Sequence, residues 1–378
     1  MPADIYVVKM TNLKLKIWNE EEFLANEEAW TSLLNKSNSN KLFMSWIWQS
    51  SWWKSFSTTL EASLYIIAIY SSRRLVALAP FYSHKVTASK ILRINRLELI
   101  GNEFHGNSTV RSEYMGFITQ EKYRISATEI ILKHISDTKK FDEIILMDLL
   151  KEQADPIQKS GHFSSTQIKV ANTYQAYKIH LNDNFSSYLN LLGKNSRLKL
   201  FNRRKRIKKS HSIEIQYSTY QQLDDYFYHL NKLHSIRWNK PVFSNERLSF
   251  HKIIAKHYSK SDKLIFSKLL IDQTPQSVQY NLVEGDTVYN IQLGFNDKFN
   301  PKVPLGYLHY GYEIEHAYDS GLKYFDFLAG KGKNTQFKEK ISNSRKEFIT
   351  LRITNKIHIT ILSILKQQIN KIKINYEK

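Results

Sequence analysis

Residues 289–330, YNIQLGFNDKFNPKVPLGYLHYGYEIEHAYDSGLKYFDFLAG, read as strand, breaker-rich loop, helix and strand. Tyr289, Ile291, Leu293 and Phe295 alternate with Asn290, Gln292 and Gly294, the period-two pattern of a strand with one apolar face. Pro301, Pro304 and Gly306 punctuate the chain before a helix predicted from about Leu305 to Ser320, whose first amides have no intrahelical partner. Such a helix end attracts phosphate. Gly321 is placed to stop the helix, and Lys323 to Leu328 returns as a strand with Asp326 as its one acidic side chain.

Working outward, 378 residues suffice for two domains, and 42% hydrophobic with 13% aromatic residues marks a globular chain. The absence of cysteine excludes disulfides, thiolate zinc sites and cysteine nucleophiles. The first residues lack a secretory pattern, and no run approaches the roughly 20 apolar residues of a membrane span, so the expectation is a cytoplasmic protein. A net charge of +20 implies attraction to polyanions or anionic membrane surfaces, or serves only solubility.

Two halves repeat one plan. The first has a strand at Leu13 to Trp18, helices at Glu20 to Asn35 and Ile47 to Phe56, a hairpin from Leu64 to Tyr82, a helix near Glu121 to Ser136 and a strand at Glu143 to Asp148. The second has a strand at Ile213 to Tyr217, helices at Gln221 to Ile236 and Glu246 to Tyr258, and a three-stranded meander from Leu264 to Phe295. The helix from Leu305 and the strand from Lys323 complete it. Glu284-Gly285-Asp286 reads as a hairpin turn. Leu223, Phe227, Leu230 and Leu233 share one helical face and read as core. The boundary is expected between Gln175 and Gly193, dividing the chain into modules 1–180 and 181–378.

This order, with WIWQSSWWKSF at Trp46–Phe56, RSEYM at Arg111–Met115, the stretch Ser196–Arg204, LHSIRW at Leu233–Trp238 and YFDFL at Tyr324–Leu328, resembles the GNAT acyltransferase superfamily. The likeness is to its two-module branch, which holds the CelD-type cellulose-biosynthesis acyltransferases and the FemAB-type peptidyltransferases. It implies an α/β fold of two tandem GNAT-like modules, each a mixed, mainly antiparallel sheet flanked by helices. It also implies an acyl-CoA donor, an active second module and a first module that shapes the acceptor cleft. The usual pyrophosphate motif with paired glycines is replaced by the loop from Asn300 to Gly306, which has one glycine. Pro304, Leu305 and Gly306, with Lys331 and Lys333 beyond the last strand, are the expected donor-binding residues.

Acyl transfer from a thioester needs a polarised carbonyl, a deprotonated acceptor and a proton for the thiolate. The resemblance implies that backbone amides supply the first where two central strands splay. Strict alternation would set Asn290 and Gln292 together on the face opposite Tyr289, towards the acceptor. Gln292 is the expected orienting residue, or else solvates a sheet face. Asp326, between two phenylalanines, is the candidate base, or else a structural carboxylate. Tyr307, or Tyr310, is the candidate acid. His234, Arg237 and Trp238 end a helix and line the cleft, or form a stacked terminus. Glu113 reaches the acceptor, or pairs with Arg111.

The run Arg203 to Lys209 carries six charges in seven residues, and wound as a helix it sends cations all round. Its partner is open between solvent, a phosphorylated or acidic acceptor, a membrane surface and RNA. GKGK at Gly330–Lys333 is not a P-loop, and the histidine spacings match no HExxH site, so no metal is expected. His358 to Ile374 reads as an amphipathic helix, for packing or for a membrane surface.

Overall fold

The structure is a computed structural model that describes residues 13–88, 92–181, 184–300, 302–330 and 335–355. In chain order the elements are β1 (Leu13–Trp18), α1 (Glu20–Ala25), α2 (Glu27–Asn35), α3 (Trp46–Phe56), β2 (Ser63–Ser71), β3 (Arg74–Ala88), β4 (Leu92–Leu99), β5 (Ile118–Thr119), α4 (Arg124–Thr138), β6 (Glu143–Leu150) and α5 (Lys151–Lys159). Then come β7 (Ile168–His180), α6 (Phe185–Leu191), α7 (Lys194–Arg197), a π turn over Leu198–Asn202, α8 (Arg203–Ile207) and β8 (Ile213–Tyr217). The chain continues through α9 (Leu223–Trp238), α10 (Asn245–Ser259), β9 (Leu264–Ile271), β10 (Thr274–Glu284), β11 (Thr287–Phe295), α11 (Leu305–Asp319), β12 (Tyr324–Ala329), α12 (Thr335–Ile341) and β13 (Ser344–Thr354).

Two units emerge. The second spans Tyr174–Glu347, while the first runs up to Thr173 and resumes at Phe348. This differs from one cut at 180/181 because β13 returns the chain to the first unit, where it pairs antiparallel with β6. The first unit's sheet runs β1-β2-β3-β4-β6-β13 and the second's runs β8-β9-β10-β11-β12-β7. In both, one pairing is parallel, β4 with β6 and β11 with β12, and the rest are antiparallel.

Local chemistry accounts for the element ends. The predicted helix 20–35 is broken at Asn26, whose side chain donates to Glu22 O, making α1 and α2 separate. Gly285 takes a φ of 59° in the expected turn, and Gly321 takes 73° just past α11. There Leu322 N donates to Ala317 O and Gly321 N to Tyr318 O, the paired bonds of a glycine stop. Leu223, Phe227, Leu230 and Leu233 are buried as expected. β4, α5, β13 and the helical turns over 185–202 are elements that the sequence reading does not include. β4 carries Arg96 and Glu98, whose charges are held by the ion pair of Arg96 with Glu143 and the contact of Glu98 with His84.

Candidate active site

Both units contain a strand fork. In the second, β11 and β12 pair only over Thr287–Tyr289 and Tyr324–Asp326. Beyond that point β11 runs on against β10, while β12 runs on against β7 with a register shift between Asp326 and Ala329. In the first unit, β4 and β6 pair only over Arg96–Glu98 and Glu143–Ile145.

The first fork is filled by its own chain. Ser112 N donates to Gly101 O at 2.9 Å and Met115 N to Asp148 O at 3.0 Å, with Met115 bridging Leu149 in parallel. Trp48 Nε1 holds Ser112 Oγ at 2.8 Å. Arg111 grips Asp148 with two bonds, of 2.7 and 2.6 Å. The segment runs alongside β6, so the Arg111 cation meets a carboxylate 37 residues away in sequence. Glu113 is buried in this unit.

Strict alternation in β11 is also corrected. The β10–β11 register passes from Tyr280↔Gln292 to Asn281↔Asn290, so Ile291 is a bulge with no opposite residue. An inserted residue reverses the facing of everything beyond it. Asn290 therefore lies on the α11 face, where its amide donates to Asn281 Oδ1 and its oxygen accepts the Tyr310 hydroxyl, each at 2.8 Å. Gln292 takes the other face, beside Gly294, whose missing side chain leaves room for Leu230 O of α9. Gln279 Nε2 donates to Asn281 Oδ1, and Gln279 Oε1 and Asn281 Nδ2 keep no hydrogen-bond partner among the described residues. The polar row at the bulge is thus only partly satisfied.

Asp326 sits at the last paired position of β12. Phe325 and Phe327 turn towards Tyr310 of α11, so Asp326 lies on the opposite face with its ladder partners Tyr289 and Lys178. It is 1% exposed, and its Oδ1 accepts Leu328 N at 2.8 Å, which supports the φ of 58° at Leu328. Burial holds the Lys178 ammonium below its usual range, and the Asp326 charge partly restores it. Lys338 Nζ bonds Phe327 O at 2.6 Å and Leu328 O at 3.1 Å, so this cation is committed to the strand end.

α11 begins at Leu305 after Pro304, with no side-chain cap. Its first amides therefore keep donors without intrahelical acceptors. Leu305 is buried, and a β-carbon on Gly306 would stand 3.0 Å from Phe295 Cε1 and 3.4 Å from Leu293 Cδ2. Tyr307 is partly buried beneath Lys199, whose ammonium lies 5.2 Å from the ring centre. Burial raises the Tyr307 hydroxyl, so at neutral pH it keeps its proton. The same cause pushes Tyr310 well up.

At the end of α9, the Arg237 guanidinium stands 4.7 Å from the Phe295 ring centre and 4.9 Å from that of Trp238. His234 Nδ1 is 2.8 Å from Lys240 O, and burial holds its pKa below the ordinary value. Trp238 is half exposed. Phe295 thus joins the start of α11 to the end of α9, while Asp326 and Gln292 share a face and Tyr307 and Asn290 lie across the sheet from them. Lys331, Lys333 and the helix expected over 358–374 lie outside the described residues.

The basic run does not spread its cations freely. Arg203 bonds Lys302 O, and Arg204 pairs with Glu315 of α11 and stacks 3.8 Å from the Tyr312 ring centre. Lys205, Arg206, Lys208 and Lys209 are exposed. The π turn and Gly311 are site-forming features that the sequence reading does not include. A glycine inside the α11 pattern was the available signal for a close backbone approach.

The family "Acetyltransferase (GNAT) domain" matches residues 194–339. The chain is similar to FemX, with a TM-score of 0.57 and 11% identity over 87% of this chain and 96% of that one. It is also similar to a conserved protein of unknown function from Bacteroides thetaiotaomicron, with a TM-score of 0.56 and 11% identity over 90% and 100%. A third is the C-terminal domain of an Agrobacterium fabrum protein assigned as a lysylphosphatidylglycerol synthetase, with a TM-score of 0.51 and 8% identity over 90% and 96%. No curated protein sequence matches the chain. The protein therefore has the α/β fold of a GNAT acetyltransferase domain, with GNAT-like modules in tandem.

Proposed function

We propose that the second unit transfers an acyl group from acyl-CoA to an amine or hydroxyl, and that the first unit binds no acyl-CoA. The observation that carries this reading is the contrast between the forks: residues 111–115 fill one, while β11 and β12 diverge past Tyr289 and Asp326 beside an uncapped helix. The N–H groups around the Ile291 bulge would polarise the thioester carbonyl, an electrostatic role suited to preorganised backbone dipoles. The first turn of α11, at Pro304, Leu305 and Gly306, would take the pyrophosphate, with Lys331 and Lys333 as further cations.

On the opposite face Asp326 accepts the acceptor's proton as its nitrogen or oxygen attacks the carbonyl, and Gln292 orients that group. Tyr307 donates a proton to the departing thiolate. His234, Arg237 and Trp238 at the end of α9 complete the acceptor contacts in this reading, and Asn290, on the α11 face, and Glu113, buried in the first unit, are not among them. The acceptor, by likeness to the CelD and FemAB types, is a sugar, polysaccharide or lipid-linked envelope intermediate, met in the cytoplasm or at a membrane surface. No helix among the described residues is long and apolar enough to cross a membrane. The exposed cations Lys205, Arg206, Lys208 and Lys209 favour a second reading, in which aminoacyl-tRNA is the donor or the chain only binds a polyanion.

Thermal-shift titration with acetyl-CoA, longer acyl-CoAs and total RNA separates these readings. Stabilisation by a single equivalent of one acyl-CoA is expected. Stabilisation by RNA alone would overturn the CoA reading, and mass spectrometry of ligands copurifying with the protein would report the acyl chain.

A further inference from the structure

The first unit contains a cavity of about 210 Å³ whose lining includes Phe104, His105, Lys169, Asn172, Arg352 and Thr354, and no lining residue is Asp or Glu. Two of its walls are tied to one buried ionic network. Arg352 Nε donates to Glu143 Oε1 at 2.5 Å, and Arg96 Nε donates to Glu143 Oε2 at 2.6 Å. Arg96 also stands 3.6 Å from Glu98, which is 2.9 Å from His84 Nε2. Glu98 Oε2 accepts the Phe104 amide at 2.8 Å, and Arg96 Nη1 donates to Phe104 O at 3.3 Å. Glu98 and Glu143 are both fully buried.

Burying two carboxylates is costly, and apolar residues of like volume would often serve stability as well. What such a network supplies is direction. It holds Arg352 by Nε and Nη2 against Glu143, and Arg352 lines a cavity whose lining holds no carboxylate. Lys169 forms no salt bridge among the described residues, and the lining it shares with Arg352 holds no carboxylate. A planar guanidinium fixed on one edge is suited to donate to an oxyanion from another.

We propose that this cavity binds a compact anion, the carboxylate or phosphate group of a small molecule, held between Lys169 and Arg352 with Asn172 as a neutral partner. The site belongs to the first unit and does not depend on the acyl-transfer reading.

The test titrates the full-length protein with inorganic phosphate and, separately, acetate, at ionic strength held constant with chloride, by calorimetry and by NMR. Saturable binding of either anion is expected and names the ligand's charged group. Lys169→Gln should weaken it about tenfold, the loss of one charge-assisted contact. Arg352→Lys keeps the charge but loses the two-point hold of Glu143, and should weaken it as well. The exposed pair Lys208→Gln and Lys209→Gln should leave it unchanged, and saturating CoA should not displace it. Absence of saturable binding by both anions, displacement of the bound anion by CoA, or parental affinity in a folded Lys169→Gln protein overturns the proposal.

Discussion

The carbonyl oxygen of Leu200 lies 2.1 Å from the point that a β-carbon on Gly311 would occupy. The π turn over 198–202 is thereby laid directly on α11, and the basic residues that follow it are aimed along that helix. Arg204 reaches Glu315 and Tyr312, and Arg203 reaches the loop before α11.

Gly311→Ala should accordingly destabilise the protein, because the atom in the way is backbone and cannot rotate aside. A cost of about 1–3 kcal/mol is expected for this overpacking. Chemical denaturation measures it, and a midpoint equal to the parent's would show that α11 and the turn are not in close contact.

Asp326 combines a structural bond with a proposed chemical role, and two variants separate them. Asp326→Asn keeps an oxygen for Leu328 N and should melt near the parent while losing most turnover with little change in donor affinity. Asp326→Ala removes the acceptor and should cost about 1–3 kcal/mol in addition. Full turnover in Asp326→Asn would remove this carboxylate as the base.

His251 predicts an acid dependence. It is 1% exposed among Phe243, Phe250 and Tyr280, and burial, with Arg247 adding to it, lowers its pKa to about 3. An unfolded histidine titrates near 6.5, so between those values the unfolded chain binds more protons and stability falls as pH falls. His251→Leu should flatten the stability–pH profile by close to one proton in that window. An unchanged slope would show that His251 is not held neutral in the fold.

The basic run divides into two sets. Arg204, with 15% of its side chain exposed, should be needed for stability, and Arg204→Ala should lower the melting temperature. Replacing Lys205, Arg206, Lys208 and Lys209 together with Gln should leave melting unchanged and reduce the salt dependence of binding to an anionic acceptor or vesicle. Equal salt slopes for parent and variant would make these four cations solvated surface.

Donor binding is tested at the helix start. Gly306→Pro removes one amide donor in the first turn, where proline is tolerated, although Phe295 must yield slightly. Acyl-CoA affinity should fall several-fold with the fold retained, and calorimetry showing parental affinity in a folded protein would move the pyrophosphate away from Gly306.

Reading residues in order was enough for the strands, helices and turns it named in both halves, though not for β4, α5 or β13, because helical and strand periods, turn glycines and helix stops are local properties. The apolar face of α9, the turn at Gly285 and the stop at Gly321 are of this kind. The facing of Asn290, the Asp148 contact of Arg111, the contacts of Arg204 and the filling of the first fork were decided by tertiary structure. Each depends on a group distant in sequence. The Ile291 bulge exists only in register with β10, Arg111 meets Asp148 only once its segment lies along β6, and Gly311 matters only because the Leu200 carbonyl is brought against it. A period counted along one strand cannot include a residue inserted to satisfy its neighbour, and a charge carries no record of which opposite charge the fold will bring within reach.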